Sequence, residues 1–188
     1  MTVEVTSPGT GAFPTDLRVA VLGGTGPQGR GLARRFAAAG LDVIVGSRSA
    51  ERAAGVAAEL SEATGRSVSG ADNLGAAEAG DVVLVVVPWE GHGELLQELA
   101  SALAGKVVVD CVNPLGFDKQ GAFALDVPEG SATQQAAAIL TESTVVGAFH
   151  NVSAVLLEDP ARRELNRISS PLGDHCGLAH NEPPMNVI

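Results

Sequence analysis

The chain has 188 residues, of which 45% are hydrophobic and 3% aromatic, so its length suits one domain, or one domain plus a fragment of a second, with a core of Val, Leu and Ala. The formal net charge of −10 at pH 7, without any cluster of Lys or Arg, argues against non-specific binding to nucleic acids or anionic membranes. No apolar run has the length of a membrane span, no signal peptide is recognisable, and two cysteines make no disulfide framework, so we expect a soluble, cytoplasmic protein.

The chain begins with residues 1–16, which are rich in Thr, Ser, Gly and Pro and predict a disordered leader. The first apolar run, 18–22, predicts a strand buried on both faces, and a helix follows from Pro27 to a stop at Gly40. The later predicted elements are strands at 42–45, 81–87, 106–110 and 144–149 and helices at 50–64, 74–79, 94–103 and 132–140. No periodicity continues beyond about residue 165, so residues 166–188 are predicted to form an irregular tail.

Strands alternate with helices over residues 17–165, which predicts one α/β domain. Connections of this length are right-handed βαβ units, so the expected fold is a Rossmann-like, doubly wound parallel sheet flanked by helices. Ligands of such sheets bind beyond the carboxyl ends of the strands. Residues that directly follow the predicted strands are therefore the candidate site residues.

The turn after the first strand contains a glycine motif. Gly24, Gly26 and Gly29 fit the pattern G-x-G-x-x-G between a predicted strand and a predicted helix. The first glycine permits a tight turn, the second lets the backbone approach phosphates, and the third lets helix and strand pack closely. Free N–H groups at a helix start favour the pyrophosphate. The motif predicts a dinucleotide site; the alternative is a glycine-rich turn that binds nothing.

The end of the second strand distinguishes between the two nicotinamide dinucleotides. NAD-binding domains usually place an acid here for the ribose 2′-OH, but this chain has Ser47 and Arg48, and its next acid is Glu51. Arg52 lies one helical turn beyond Arg48, and Thr25 lies in the glycine turn, so these donors can face one anion. The pattern predicts NADP; the alternative is an arginine that is simply exposed at a strand end.

The other strand ends contain no hydrolytic triad and no metal site. Trp89 is either a wall for the nicotinamide or an anchor for the next helix. His150 follows a predicted buried strand and is either a site residue or a histidine satisfied by a loop carbonyl. We interpret Cys111 as a small core residue, and the histidines and cysteine within 175–180 lack the pattern of a metal site. A site with so few catalytic acids and bases is compatible with hydride transfer, because the two cofactor rings carry the chemistry of that reaction.

Four stretches together resemble a known family. They are 21–29 (VLGGTGPQG), 45–48 (VGSR), 87–90 (VPWE) and 147–154 (GAFHNVSA). Over residues 17–162 the chain closely resembles the coenzyme F420-dependent NADP reductases. The resemblance implies reversible hydride transfer between NADP and the 8-hydroxy-5-deazaflavin coenzyme F420, in a homodimer.

The resemblance also implies roles for individual residues. The adenosine 2′-phosphate would be held by Thr25, Ser47, Arg48 and Arg52. The glycine turn would contact the dinucleotide through Thr25, Gly26, Pro27 and Gln28, which lie between the motif glycines Gly24 and Gly29. The nicotinamide side would be lined by Val87, Pro88, Trp89, Asn113 and Pro114. The catalytic candidate is His150, and the two rings would meet beside it and the loop residues Val152 and Ala154.

Members of this family have a longer C-terminal part that helps to cover the deazaflavin and to build the dimer, where this chain has the irregular tail. Two other functions therefore stay open. One is an NADPH-dependent reductase of another acceptor, such as an imine, a ketone or a flavin. The other is an NADP-binding module without catalysis.

Overall fold

The computed structural model describes residues 17–159 and 161. Its strands are β1 (Arg18–Leu22), β2 (Asp42–Ser47), β3 (Val68–Asp72), β4 (Val82–Val85), β5 (Val107–Asp110), β6 (Leu115–Asp118), β7 (Gly121–Ala124) and β8 (Thr144–Gly147). Its α-helices are α1 (Pro27–Ala38), α2 (Ala50–Thr64), α3 (Asn73–Ala79), α4 (His92–Leu103), α5 (Ala132–Ile139) and α6 (Ala154–Glu158), and a 3₁₀ turn spans Trp89–Gly91. The predicted leader, and the predicted tail at 166–188, lie outside the described residues.

Six strands form one parallel sheet in the order β3-β2-β1-β4-β5-β8. This arrangement, with helices between the strands, confirms the predicted doubly wound, Rossmann-like sheet. The strand order reverses between β1 and β4, which opens a crevice at the carboxyl ends of these two strands. Every pairing within the sheet is parallel, so all six strands end at the same edge.

The core lies on both faces of the sheet because the central strands are apolar on both sides. In β1, Val19 and Val21 pack in one cluster with α1, α2 and α6, and Ala20 and Leu22 pack in the other with α3, α4 and α5. Side chains of a strand alternate between faces, so a continuous apolar run supplies both clusters. None of the helices in residues 17–159 combines the length and the hydrophobicity that a membrane span requires.

Helix ends follow the predicted capping residues. The Ser49 hydroxyl accepts a hydrogen bond from the Arg52 N–H at 3.2 Å, and Gly65 ends α2 in the left-handed conformation with a φ of 64°. Ser131 caps α5 in the same way, because its hydroxyl accepts from the Gln134 N–H at 3.2 Å. These caps confirm the predicted bounds of both helices to within one residue.

Three parts of the fold were not predicted: β3, the β6–β7 hairpin and α6. The β3 segment has the sequence VSGAD, which contains little strand signal, and it becomes a strand by pairing with β2, which extends β2 to Ser47. Two strands end earlier than predicted: β4 ends at Val85 and β8 ends at Gly147. In both cases the chain turns away to form loops at the carboxyl edge of the sheet.

Candidate functional site

The glycine turn between β1 and α1 is shaped by close backbone contacts. Gly23 has a left-handed φ of 72°, and a Cβ there would overlap the Val86 carbonyl oxygen. The tight turn was predicted at Gly24, whereas the left-handed residue is Gly23. A Cβ on Gly24 would lie 2.7 Å from the Val21 carbonyl oxygen, so Gly24 is required for packing against β1.

The other two glycines of the motif differ in the space around them. A Cβ on Gly29 would lie 2.7 Å from the carbonyl oxygen of Gly23, which agrees with the predicted close packing of helix and strand. A Cβ on Gly26 would meet only the same oxygen, at an ordinary contact distance of 3.6 Å. Gly26 is also the N-cap of α1 and offers no side chain to cap it. The start of α1 therefore leaves backbone N–H groups for an anion.

A cleft of about 710 Å³ opens between the glycine turn, the end of β2 and the segment after β4. Small-molecule sites commonly have volumes of about 300–1,000 Å³. The predicted site residues that line the cleft are Thr25, Gly26, Ser47, Arg48, Arg52, Val87 and Pro88. Lining residues without a predicted role are Gly23, Ser49, Asn73, Val86, Glu90, Gly91, Glu94 and Leu95. The structure thus brings the predicted 2′-phosphate donors and part of the predicted nicotinamide wall into one cavity.

The β2 end of this cleft presents donors for an anion. Ser47 is buried, and its hydroxyl accepts from the Ser49 N–H at 3.4 Å. Arg48 and Arg52 are exposed, and neither forms an ion pair with another residue in the described part of the chain. Asp72 lies beside Ser47 in the sheet, but its carboxylate caps α3 by accepting from the Gly75 N–H at 2.7 Å. This donor set fits a phosphate better than a ribose hydroxyl.

Asn73 is a cleft residue that sequence reasoning missed. It is the first residue of α3, is buried, and its Oδ1 has no hydrogen-bond partner among the described residues. Buried polar atoms of this kind usually have a partner. The single sequence signal is its position directly after Asp72, at the start of a predicted short helix.

The loop between β8 and α6, residues 148–153 and here called the His150 loop, is held by two predicted site residues. The Gln28 Nε2 donates to the Phe149 carbonyl at 3.0 Å, and the Asn113 Nδ2 donates to the His150 carbonyl at 2.9 Å. Phe149 has a φ of 63°, which is unusual for an aromatic residue and requires such support. Gln28 and Asn113 therefore hold the loop backbone instead of lining the cleft.

His150 itself is half-buried beside a carboxylate. Its Nε2 lies 3.9 Å from Asp110 Oδ2, so the group that its ring faces is an acid. Asp110 is fully buried at the end of β5 and accepts from the Thr133 hydroxyl at 2.9 Å. Sequence reasoning did not single out Asp110, although an acid as the last residue of an apolar strand was a usable signal.

Trp89 stacks on His92 at the start of α4, with ring centroids 5.5 Å apart and an interplanar angle of 26°. This contact agrees with the anchoring interpretation of Trp89, and its predicted contact with the nicotinamide stays a prediction. Cys111 is buried, and burial together with the charge of Asp110 raises the pKa of its thiol to about 12. Cys111 thus behaves as a core residue, as expected.

The remaining predicted residues surround the two regions. Pro27 is the first residue of α1, Val152 packs against the core near Phe149, and Ala154 begins α6. Pro114 follows β5, and its carbonyl accepts from the Leu125 N–H at 2.9 Å. The histidines and cysteine within 175–180 lie outside the described residues, within which no group of His, Cys, Asp and Glu could hold a metal ion.

Comparison with known proteins gives relatives over most of the chain. Residues 18–114 match the family described as NADP oxidoreductase, coenzyme F420-dependent. An F420-dependent NADP reductase from Methanothermobacter thermautotrophicus is 42% identical over 170 residues, which cover 87% of this chain and 70% of that protein. One from Methanocaldococcus jannaschii is 40% identical over 151 residues, which cover 76% of this chain and 67% of that protein.

Among solved structures, a lactate dehydrogenase from Eimeria maxima with NADH and oxamate superposes with a TM-score of 0.55. It is 15% identical, and the match covers 73% of this chain and 44% of the dehydrogenase chain. At this identity the likeness shows the fold alone, and it agrees with the parallel sheet described above.

Proposed function

Because the chain belongs to the family of coenzyme F420-dependent NADP oxidoreductases, we propose that it transfers a hydride reversibly between NADP(H) and coenzyme F420. In the direction of F420 reduction, NADPH gives up the hydride, and F420 takes up that hydride and one proton. The observation that carries the NADP half of the proposal is the single cleft that joins the glycine turn to Arg48, Arg52, Val87 and Pro88.

The residues of the cleft would bind the dinucleotide in two parts. The guanidinium groups of Arg48 and Arg52, with the hydroxyls of Thr25 and Ser47, would hold the 2′-phosphate. The N–H groups at the start of α1 would hold the pyrophosphate, for which Gly26 leaves room. Asn73 would use its unpartnered Oδ1 as an acceptor for a donor on the adenosine part of the ligand.

The ring end of the site would act by orientation and by exclusion of water. Val87, Pro88, Trp89 and Pro114 would line the nicotinamide side, and Val152 and Ala154 would lie near the deazaflavin. His150 would orient or hydrogen-bond a ring without being an indispensable proton donor, because both rings carry their own redox chemistry. Gln28 and Asn113 support this role, since they hold the carbonyls of Phe149 and His150.

The experiment is direct: the purified chain is mixed with NADPH and F420, and the deazaflavin absorbance is followed. With deuterium on the nicotinamide C4, the label should appear on reduced F420 without exchange into solvent. Loss of the label to water would exclude direct transfer. Turnover with an imine, a ketone or a flavin but not with F420 would mean that the enzyme is an NADPH-dependent reductase of another acceptor. Tight NADPH binding without any turnover would mean that the chain is an NADP-binding module without catalysis.

The assembly and location belong to the same proposal. A homodimer is supported by apolar side chains that the fold leaves exposed, among them Phe117 at 76% and Phe123 at 45% on the β6–β7 hairpin and Val155 at 77% on α6. Light scattering on the purified chain should give twice the chain mass. A cytoplasmic location is supported by the proposed substrates, because both are soluble cofactors that the enzyme would have to meet inside the cell.

A further inference from the structure

A buried polar network lies behind the ring end of the site, where it connects three elements. We call it the Asp110 network; its residues are His92 at the start of α4, Asp110 at the end of β5, and Thr133 and Gln135 on α5. The side chains of His92 and Asp110 are both fully buried. His92 Nε2 lies 3.1 Å from Asp110 Oδ1, and the Thr133 hydroxyl donates to Asp110 Oδ2 at 2.9 Å.

The hydrogen-bond pattern places a proton on each ring nitrogen of His92. Its Nδ1 lies 3.0 Å from Gln135 Oε1, and the Gln135 Nε2 donates to Glu129 at 3.4 Å, which turns the amide oxygen toward His92. Both ring nitrogens therefore face acceptors, as an imidazolium requires. Burial lowers the pKa of His92, but the hydrogen bonds to Asp110 and Gln135 and the charge of Asp110 outweigh it, so the pKa is raised.

Stability alone does not account for a buried ion pair. The loss of hydration of two charges largely cancels their attraction, and apolar residues of similar size are often at least as stable. The contacts of the network give another reason. His92 stacks on Trp89, and the second oxygen of Asp110 faces His150 Nε2 at 3.9 Å. The network thus touches two side chains that are predicted to flank the reacting rings.

We propose that Asp110 is a positioning residue of the site: one carboxylate oxygen holds His92 against Trp89, and the other faces His150. A single buried carboxylate thereby fixes the position of Trp89, through His92, relative to that of His150. Asp110 would act through these residues without touching either ring. That the two side chains flank a nicotinamide and a deazaflavin rests on the proposed function, whereas the link from Asp110 to Trp89 and His150 does not.

Fluorescence tests this link in the free protein, because Trp89 is the only tryptophan and the chain has no tyrosine. A stacked imidazolium quenches indole emission, so emission should rise with pH as His92 loses its proton, with a midpoint above 6.5, the ordinary value for histidine. In Asp110→Asn the midpoint should move to lower pH, because burial still lowers the pKa of His92 whereas the carboxylate that raises it is gone. In His92→Gln the transition should disappear.

Other ionisable groups around the network are His150, Cys111 and, beyond Gln135, Glu129. The raised pKa of Cys111 keeps its thiol neutral across this range. His150→Ala distinguishes the effect of His92 on Trp89 emission from any effect of His150, because the pH transition of the emission should persist in that variant. A transition lost in His150→Ala and kept in His92→Gln would overturn the proposal.

Steady-state kinetics give the second readout. Asp110→Asn should lower kcat by about 10- to 100-fold, since small misplacement of reacting groups has effects of that order. The KM for NADPH should change by less than about twofold, because the phosphate-binding residues stay in place. Thr133→Val removes one hydrogen bond to Asp110 and keeps the carboxylate charge, so it should give a smaller loss of kcat. It replaces Asp110→Asn as the test variant if Asp110→Asn does not fold.

An emission midpoint that stays unchanged in Asp110→Asn, or a kcat that stays unchanged in both Asp110→Asn and Thr133→Val, would overturn the positioning role. If the parent chain does not reduce F420, the proposed function fails. The emission midpoints still decide in that case whether Asp110 holds the pair of Trp89 and His92.

Discussion

At the scale of single residues, the proposed cofactor site depends both on charged side chains and on the absence of a side chain. The exposed guanidinium groups at the β2 end would carry the selectivity for a phosphate, whereas Gly26 would leave room for the pyrophosphate. These two contributions can be separated, because neither Arg48 nor Gly26 is part of the buried core. Each therefore allows a substitution whose effect on binding is not obscured by an effect on folding.

Arg48→Glu should weaken NADP binding by at least about tenfold and spare NAD binding. A hydrogen bond to a charged group contributes about 1.5–3 kcal/mol, and each 1.4 kcal/mol changes the dissociation constant about tenfold. Titration of both cofactors into both proteins measures the effect. The matched control is Arg66→Glu, since Arg66 is exposed beyond the other end of α2 and does not line the cleft. Equal losses for NAD and NADP in Arg48→Glu would refute the assignment.

Gly26→Ala should abolish NADP binding and leave the melting temperature nearly unchanged. The added methyl group would find only an ordinary contact at 3.6 Å in the protein, but it would stand where the backbone should approach the phosphates. Gly29→Ala is the contrasting variant, because its methyl group would lie 2.7 Å from backbone atoms and should lower the melting temperature. Calorimetric binding and thermal unfolding distinguish the two, and full NADP affinity in Gly26→Ala would contradict the prediction.

His150→Ala should slow turnover and weaken deazaflavin binding without abolishing the reaction. The expected loss is about 10- to 100-fold in kcat/KM for F420, since orientation and not obligatory proton transfer is lost. NADPH affinity should be retained, because His150 does not line the cleft between the glycine turn and the end of β2. Complete inactivity with an intact NADPH site would instead make His150 an essential acid or base.

At the scale of elements, the shortest helix depends on its neighbour. The five residues of α6 are too few for a stable isolated helix. The Arg35 guanidinium donates to the carbonyls of Leu156 and Leu157, each at 2.8 Å, and the Arg34 side chain donates to the Glu158 carbonyl. Charged donors at the last carbonyls of a helix are favourable. Because α6 follows the His150 loop, its docking on α1 also anchors one end of that loop.

Gly31→Ala should therefore destabilise the protein, by about 1–3 kcal/mol, because its Cβ would lie 2.5 Å from the Leu157 Cβ. Gly55→Ala is the matched control, since Gly55 is also within a helix but has no atom near its Cβ position. That control should gain about 0.5–1 kcal/mol, because alanine is the better helix former. Denaturant unfolding measures both, and a stabilised Gly31→Ala would show that α6 does not pack on α1 as described.

At the scale of the whole molecule, the Asp110 network ties α4, β5 and α5 together and makes stability depend on pH. The pKa of His92 is raised in the folded state above its ordinary value of 6.5. Protonation of His92 therefore favours folding, fully so below about pH 6.5, and this contribution is lost as the pH rises through the raised pKa.

The difference in unfolding free energy between the parent chain and His92→Gln should consequently be largest below pH 6.5 and shrink at higher pH. Denaturant unfolding at several pH values measures it. Gly55→Ala is the control, because its effect involves no titrating group and should be the same at each pH. A difference that grows with pH would mean that His92 is held neutral.

The parallel α/β architecture and the expectation of a dinucleotide follow from local sequence patterns. Short stretches of sequence predict the buried strands, the capped helices and the glycine turn, because periodicity, capping and turn conformation are local properties. The change from an acid to Ser47 and Arg48 at the end of β2 is equally local. These features suffice for the fold and for the expectation of NADP.

The proposed ring end of the site depends on contacts between residues that are far apart in the chain. His92 and Asp110 are 18 residues apart, Asn113 and the His150 carbonyl 37, and Gln28 and the Phe149 carbonyl 121. No local pattern encodes such pairs, since their geometry arises only when separate strands end at one edge of the sheet. The same reason explains β3 and α6, whose short segments become regular only by pairing with β2 and docking on α1.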